Sequence, residues 1–417
     1  MLIYGITDKP KTIKEYLLYG VQQCISVLTA SILISTICGT DVAAGLVGAG
    51  VATIVFLLLT KFKAPLFFSN SGSTCAAVIT ALTLGHDYTG VILGGITVCL
   101  MNTIAALLTK KFGSSWVNKL LPPIVSGTIV LVIGLNLAGY CVTYVGMGQE
   151  YELIKMCVAF ITMLVTVCVM YYGKGRISTL PFLIGVASGY IIAVIITLLG
   201  IAPLVDFSVF QNMKLFILPD FAFFHVDFKN FDWGLLPTII TTFAAVNLAN
   251  IGEHVSDVLA VSAVVDEDLT ETVGLDKTFM GDGVADLIGT IIGGQPTTTY
   301  SESLSTIAVS KVASTRVILV AAIITAMLGF FGPFNAFVLS VPSCIFGGVA
   351  LVAYGCIAQA GLKVLSTVDV KTPKNMIIFA VMGTVGISGI AFNMGSFTLT
   401  TTALSMITGL ILNLILK

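Results

Sequence analysis

Apolar residues run along this chain in stretches of about 20, the length a helix needs to cross the hydrocarbon of a bilayer. Polar residues collect between the stretches. The runs predict spans at 15–38, 42–60, 66–84, 88–109, 121–140, 154–172 and 179–199. A second set follows at 234–259, 277–293, 297–312, 316–331, 336–356, 375–391 and 398–416. The pattern is that of an all-α polytopic membrane protein with 14 transmembrane spans. The third and tenth stretches are shorter and more polar than ordinary spans.

The two sets look like distant copies of one unit. Pro122–Pro123 leads to Gly127 and then Leu131–Val132, while Pro342 leads to Gly347 and then Leu351–Val352. Pro65 precedes Phe67–Phe68–Ser69–Asn70–Ser71, and Pro296 precedes Thr299–Tyr300–Ser301–Glu302–Ser303. Seven spans per copy is an odd number, so the second copy lies inverted in the membrane. Interrupted helices at matching positions of inverted repeats mark the substrate site of many secondary transporters.

Thr297, Thr298, Thr299 and Tyr300 are β-branched or aromatic and favour a strand. A strand edge cannot face lipid, so this segment has to be buried and paired. Its repeat mate, Leu66–Phe67–Phe68–Ser69, is the expected partner. Short β-strands in spans 3 and 10, each continuing into a half-helix, aim backbone N–H groups at one cavity. Gly72 would let a flat ligand approach the opposite backbone.

Composition agrees with the pattern: of 417 residues 57% are hydrophobic and 10% charged, where soluble domains carry about 25%. With the N-terminus inside, the only basic residues in outside segments are Lys155, Lys214 and Lys229, leaving 17 of 20 inside. That bias places both termini in the cytoplasm of a multi-pass cell-membrane protein. Residues 1–16 lack the apolar core and cleavage site of a signal peptide, and the first span is expected to serve as a retained targeting signal. The nine cysteines are scattered without CxxC spacing and read as core residues, not metal ligands or disulfides. The outside loop 204–233 is rich in phenylalanine, as an interfacial belt or as a lid; Asp266, Glu267, Asp268, Glu271 and Asp276 form a solvated acidic loop.

Within these spans Glu253 and Glu302 carry the chemistry. A charge at the bilayer centre costs roughly 3 kcal/mol or more, so intramembrane acids are functional candidates. Asp257 follows Glu253 by four residues and projects from the same helix face. Two carboxylates so close in a low dielectric do not both ionise cheaply, and one is expected to hold a proton. Glu253 and Asp257 are therefore the candidates for proton coupling. His254 reads as a packing histidine, Asp282 and Asp286 as structural acids of the ninth span, and Gln22 and Gln23 as pocket or helix-joining residues. There is no nucleophile–base set, metal cluster or ATP-binding motif, so no enzyme activity, cofactor or bound metal is expected, and no catalytic residue is assigned.

At these residues the chain resembles the nucleobase–ascorbate transporter family (nucleobase:cation symporter 2), and within it the bacterial uracil and xanthine permeases. The resemblance is carried by Pro122 to Gly127, Ile251–Gly252–Glu253–His254–Val255, Asp282–Gly283, Pro296 to Glu302, and Pro342 to Gly348. It implies fourteen spans in two inverted repeats of seven. A core domain would comprise 1–112 and 233–331, and a gate domain 113–200 and 332–417, with 201–232 as an extracellular connector. It implies substrate-binding acids at Glu253 and Glu302, neighbouring contacts from Ala30, Gly72, Tyr300 and Ser301, and a homodimer joined through the gates. The chain departs from the family at Glu302–Ser303–Leu304–Ser305, where the pattern after the second acid usually runs Asn-x-Gly. It departs again at Asp257, a histidine in uracil permeases and an acid in many purine-selective relatives. The function expected is proton-coupled import of a nucleobase, uracil first, with substrate, proton and membrane lipid as partners and no nucleic acid. A purine (xanthine or urate) symporter and a nucleobase facilitator or channel are the alternatives.

Overall fold

The computed structural model describes residues 2–113, 116, 121–148, 152–174, 180–211, 213–394 and 397–416. Among them the chain is mostly helical. α1 (Ile13–Cys38) opens with a capping box in which Thr12 and Glu15 satisfy each other's backbone N–H groups. It ends where Gly39 turns left-handed at φ 71°. α2 (Val42–Leu59) starts from the Asp41 carboxylate, 2.6 Å from the Ala44 N–H. Then come β1 (Phe68–Asn70), the half-length α3 (Cys75–Gly85) and α4 (Thr89–Phe112). α5 (Pro123–Tyr144), α6 (Leu153–Tyr172) and α7 (Pro181–Leu198) follow; α5 and α7 begin on prolines, which need no partner for the missing N–H.

After a loop of short 3-10 turns, α8 (Leu236–Val265) and α9 (Leu275–Gly293) are joined by a π-turn at Thr270–Gly274. β2 (Thr297–Thr299) and another half-length helix, α10 (Ser301–Ser310), precede α11 (Thr315–Phe330). The chain ends with α12 (Gly332–Ser340), α13 (Ser343–Leu365), α14 (Pro373–Ile387), the hairpin β3 (Phe392–Met394) and β4 (Phe397–Leu399), and α15 (Thr401–Ile415). Among the described residues, eight helices are long and apolar enough to cross a membrane. α11, α14 and α15 are shorter, at 16, 15 and 15 residues.

Three details differ from the sequence pattern. The run 336–356 is two helices, because Pro342 lacks the N–H that would continue α12 and instead caps α13. The side-chain amide of Asn335 holds the carbonyls that end α11, at 3.0–3.1 Å from Leu328, Gly329 and Phe331. α8 continues to Val265, six residues past its expected end at 259. The β3–β4 hairpin lies between the last two helices, where an ordinary loop was expected.

The helices fall into two packing groups. α2 lies against α9 and α11, α4 against α8 and α9, and α1 against α11. Separately, α13 lies against α5 and α6, α14 against α5 and α15, and α6 against α7. Small residues make these contacts close, as van der Waals packing between lipid-embedded helices requires. A Cβ on Gly50 would meet the Ala322 carbonyl of α11 at 2.4 Å, and one on Gly134 would meet the Ala358 N of α13 at 2.5 Å. The N-terminal segment adds a strap: Tyr4 bridges Val312, and Ile3 N–H reaches the Lys311 carbonyl at 2.7 Å, fastening the linker between α10 and α11. The acidic loop after α8 is exposed, and Thr270 hydrogen bonds hold the Asp268 carboxyl below the ordinary range.

Gly134→Ala is expected to overpack the α5–α13 contact and cost about 1–3 kcal/mol, lowering the melting temperature of the purified protein. Gly355→Ala, where a Cβ meets nothing within 4 Å, is the control. Equal melting of both variants by fluorescence-detected size exclusion would show that the close contact is not made.

Candidate functional site

β1 and β2 pair antiparallel, with Phe68 opposite Thr299, Ser69 opposite Thr298 and Asn70 opposite Thr297. The pairing lies one residue further along than Leu66–Ser69 against Thr297–Tyr300 would set it. The ladder continues at both ends, through Ser71 N–H to the Pro296 carbonyl and Tyr300 N–H to the Phe67 carbonyl, each 3.0 Å. Two strands of three residues have too little surface to stand alone, and side chains complete them. Thr53 of α2 accepts from Phe68 N–H at 3.0 Å and donates to its carbonyl at 2.9 Å, closing the outer edge of β1. The Asn70 amide bonds the hydroxyls of Ser31 and Ser35 on α1 at 3.1 and 2.8 Å. Tyr300 donates its phenol to the Asn70 carbonyl at 2.7 Å.

Immediately beyond the strands the chain turns into α3 and α10, so the N-termini of two half-helices meet at one place. The cavity there is lined by Ala30, Gly72, Glu253, Thr298, Tyr300 and Glu302 on one side, and by Val130, Ile133, Phe182, Tyr354 and Ile357 on the other. It encloses about 210 Å³. Glu302 is the second residue of α10, where the helix dipole favours a carboxylate. Glu253 comes from the middle of α8. The cavity runs on past Glu302 into a second space beside Ile25, Ser26 and Thr29, towards the start of α1. In the other direction it is shut: Tyr354 is buried, and the Tyr144 hydroxyl donates to the Thr36 carbonyl at 3.2 Å.

Five of the residues singled out from sequence, Ala30, Gly72, Glu253, Tyr300 and Glu302, share this cavity. Asp257 does not line it. It lies one turn further along α8, buried, and accepts a hydrogen bond from the Thr299 hydroxyl. Ser301 begins α10, and its side chain lies outside the described residues. Gln23 joins helices: its amide reaches the Ser303 carbonyl at 3.1 Å and the Ser303 hydroxyl. His254 faces away from the cavity, against Phe279 and 3.5 Å from Asp282.

Sequence reasoning missed the network behind the strand. Asn102 of α4 donates to Asp282 at 2.9 Å and to Asp286 at 3.3 Å, and accepts from Asn247 of α8 at 2.9 Å. Asp286 accepts from the Thr297 hydroxyl at 3.1 Å. A polar residue midway along the fourth span, Asn102, was the available signal. Among the described residues no cluster of three or more His, Cys, Asp or Glu is arranged for a metal ion.

Comparison with known proteins adds the family. The Permease family profile (Xan_ur_permease) matches residues 14–395. The chain is 34% identical to the uracil permease of Bacillus caldolyticus, over 99% of this chain and 94% of that one. It is 30% identical to the uracil permease of Escherichia coli strain K12 over the same shares. Its fold is similar to the transmembrane domain of the cyanobacterial bicarbonate transporter BicA, with a TM-score of 0.65, 17% identity and 98% coverage of each chain.

Thr53→Val is expected to strip both partners from Phe68 with little change of shape. Buried groups left unpaired cost about 1–3 kcal/mol each, so the variant should melt several degrees lower, with the loss confined to the strand region in hydrogen exchange. Unchanged protection at residues 66–71 would refute this role.

Proposed function

The chain belongs to the xanthine/uracil permease family, a family of membrane transporters and not of enzymes, and from that membership and its cavity we propose that it is a proton-coupled symporter importing a nucleobase, uracil first, by alternating access. The observation that carries the reading is that Glu253 and Glu302 share one cavity at the junction of β1 and β2. A uracil ring offers N–H donors that these carboxylates accept. Its carbonyls suit the N–H groups at the start of α10 and the Ser301 hydroxyl. Gly72, Ala30 and Tyr300 form flat walls. A ligand without the N–H groups would leave buried acceptors unpaired, at about 1–3 kcal/mol each.

The coupled proton resides on Glu253, in exchange with Asp257 one turn away. Protonation neutralises the loaded cavity and permits the domain holding it to move. Entry of each proton draws about 2.3 kcal/mol from 100 mV of membrane potential. The two packing groups correspond to a core (1–112 and 233–331) and a gate (113–200 and 332–417), with 201–232 between them. Fourteen crossings in two inverted repeats of seven fit the antiparallel strands, each leading into a half-helix. With the basic residues and both termini cytoplasmic, the open end of the cavity faces the cytoplasm. Apolar side chains left exposed on α6 and α14, such as Phe160, Leu164 and Met376, suit lipid or the gate of a second copy in a homodimer. A purine symporter is the second reading, favoured by Asp257.

Glu253→Gln is expected to abolish proton-driven accumulation in proteoliposomes while leaving uracil binding within a few fold of wild type. Protonophore-sensitive accumulation at the wild-type level in that variant would refute the assignment. Glu302→Gln should weaken uracil more than xanthine, by about tenfold or more for a charge-assisted hydrogen bond. Equal losses in competition assays would remove Glu302 from substrate selection.

A further inference from the structure

A second cavity lies along the same seam between the two packing groups. It is lined by Ala76, Ala77 and Thr80 of α3, Thr242 and Val246 of α8, Asn136 and Gly139 of α5, and Thr400–Thr402 at the start of α15. Three stretches that line the central cavity therefore reach this one too. Gly72–Ser73 lead into Ala76–Thr80 of α3, α8 runs from Glu253 back to Val246 and Thr242, and α5 from Val130 and Ile133 on to Asn136 and Gly139. Between the two, Ser73 donates to the side-chain oxygen of Asn250 at 2.6 Å, and Tyr354 is buried. The second cavity encloses about 350 Å³.

Its walls are unlike a surface meant only for lipid. Hydroxyl and amide groups predominate among the polar atoms, and no charged side chain lines it. Thr242 is 4% exposed, yet its Oγ1 has no hydrogen-bond partner. A buried hydroxyl left so costs free energy unless something fills the space and bonds it. Asn136 donates to the Gly386 carbonyl at 2.8 Å, which fixes the orientation of its amide in the wall. A hydroxyl both donates and accepts, so it matches the alternating carbonyl and N–H edge of a neutral, flat, imide-bearing ring.

We propose that this cavity is an entry site on the far side of the closed seam, where a nucleobase binds through Thr242 and its neighbours before the Ser73–Asn250 contact and Tyr354 give way to Glu253 and Glu302. The inference rests on the nucleobase reading above and adds a second binding site to it. The site is sided: it meets substrate arriving from outside and is not used by substrate binding from the cytoplasm.

Two substitutions test it. Thr242→Val removes the hydroxyl at nearly constant shape, and Gly139→Phe fills the cavity from a position where a Cβ meets nothing within 4 Å. Uptake of radiolabelled uracil into right-side-out vesicles is compared with efflux from the same vesicles and with uracil binding to the detergent-solubilised protein. Thr242→Val should raise the KM of uptake about three- to tenfold, the worth of one neutral hydrogen bond. The efflux KM and the solution Kd should stay within twofold of wild type. Gly139→Phe should reduce uptake to background while still binding uracil. If Gly139→Phe does not fold, Thr242→Val decides alone. Variants that keep the wild-type uptake KM, or that shift uptake, efflux and binding together, overturn the entry site and leave the nucleobase reading intact. Wild-type vesicles that carry none of uracil, xanthine, urate or hypoxanthine overturn both.

Discussion

In a bilayer every backbone N–H and carbonyl has to find a partner within the protein, and the short β1–β2 pair is where this chain meets that requirement without a helix. Everything that makes the central cavity follows from the exception. Two helices are cut short so that their N-termini meet, and the strands between them present backbone and side chains to one space. The pair exists because it is enclosed. Thr53 closes one edge, Asn70 is held by Ser31 and Ser35, and the Tyr300 phenol returns to the Asn70 carbonyl. Remove the surrounding helices and six strand residues would face hydrocarbon with unmet hydrogen bonds.

The strand period of two divides the chemistry of β2. Thr297 and Thr299 lie on one face, and their hydroxyls go to Asp286 and Asp257. Thr298 falls on the opposite face of the strand, and both it and Thr299 line the cavity. Acids on α8 and α9 therefore grip one face of the strand. Asp257 belongs to this grip through Thr299. An acid serves here where a neutral imidazole would offer the strand a different set of donors and acceptors.

Much of this was legible in the sequence, and what was not has a common cause. Hydropathy and proline placement located the helices, and the β-branched run after Pro296 located a strand, because these are local properties. Glu253 and Glu302 stood out because a lone acid in an apolar run is costly. By contrast, Asn102 touching Asp282, or Thr53 closing β1, joins residues far apart along the chain whose individual types are unremarkable in membrane helices. The one-helix reading of 336–356 failed for another reason: apolar content is blind to Pro342, which interrupts hydrogen bonding without interrupting hydrophobicity. The β3–β4 hairpin lies between two apolar runs and leaves hardly a trace in hydropathy.

The two packing groups differ in what holds them. Around the ligand strand, Asn102 joins α4 to α9 and α8, Asp286 joins α9 to β2, and Gln23 joins α1 to α10. Directional hydrogen bonds in a low dielectric penalise small displacements steeply, so these elements are set to move as one body. On the other side of the seam the wall is largely Val130, Ile133, Phe182 and Ile357, whose contacts have no preferred direction. Sliding such a surface by a few ångströms exchanges one set of dispersion contacts for another at little cost. A rigid polar body thus faces a smooth apolar one across the seam. Glu253 and Glu302 sit on the rigid side, on α8 and at the start of α10.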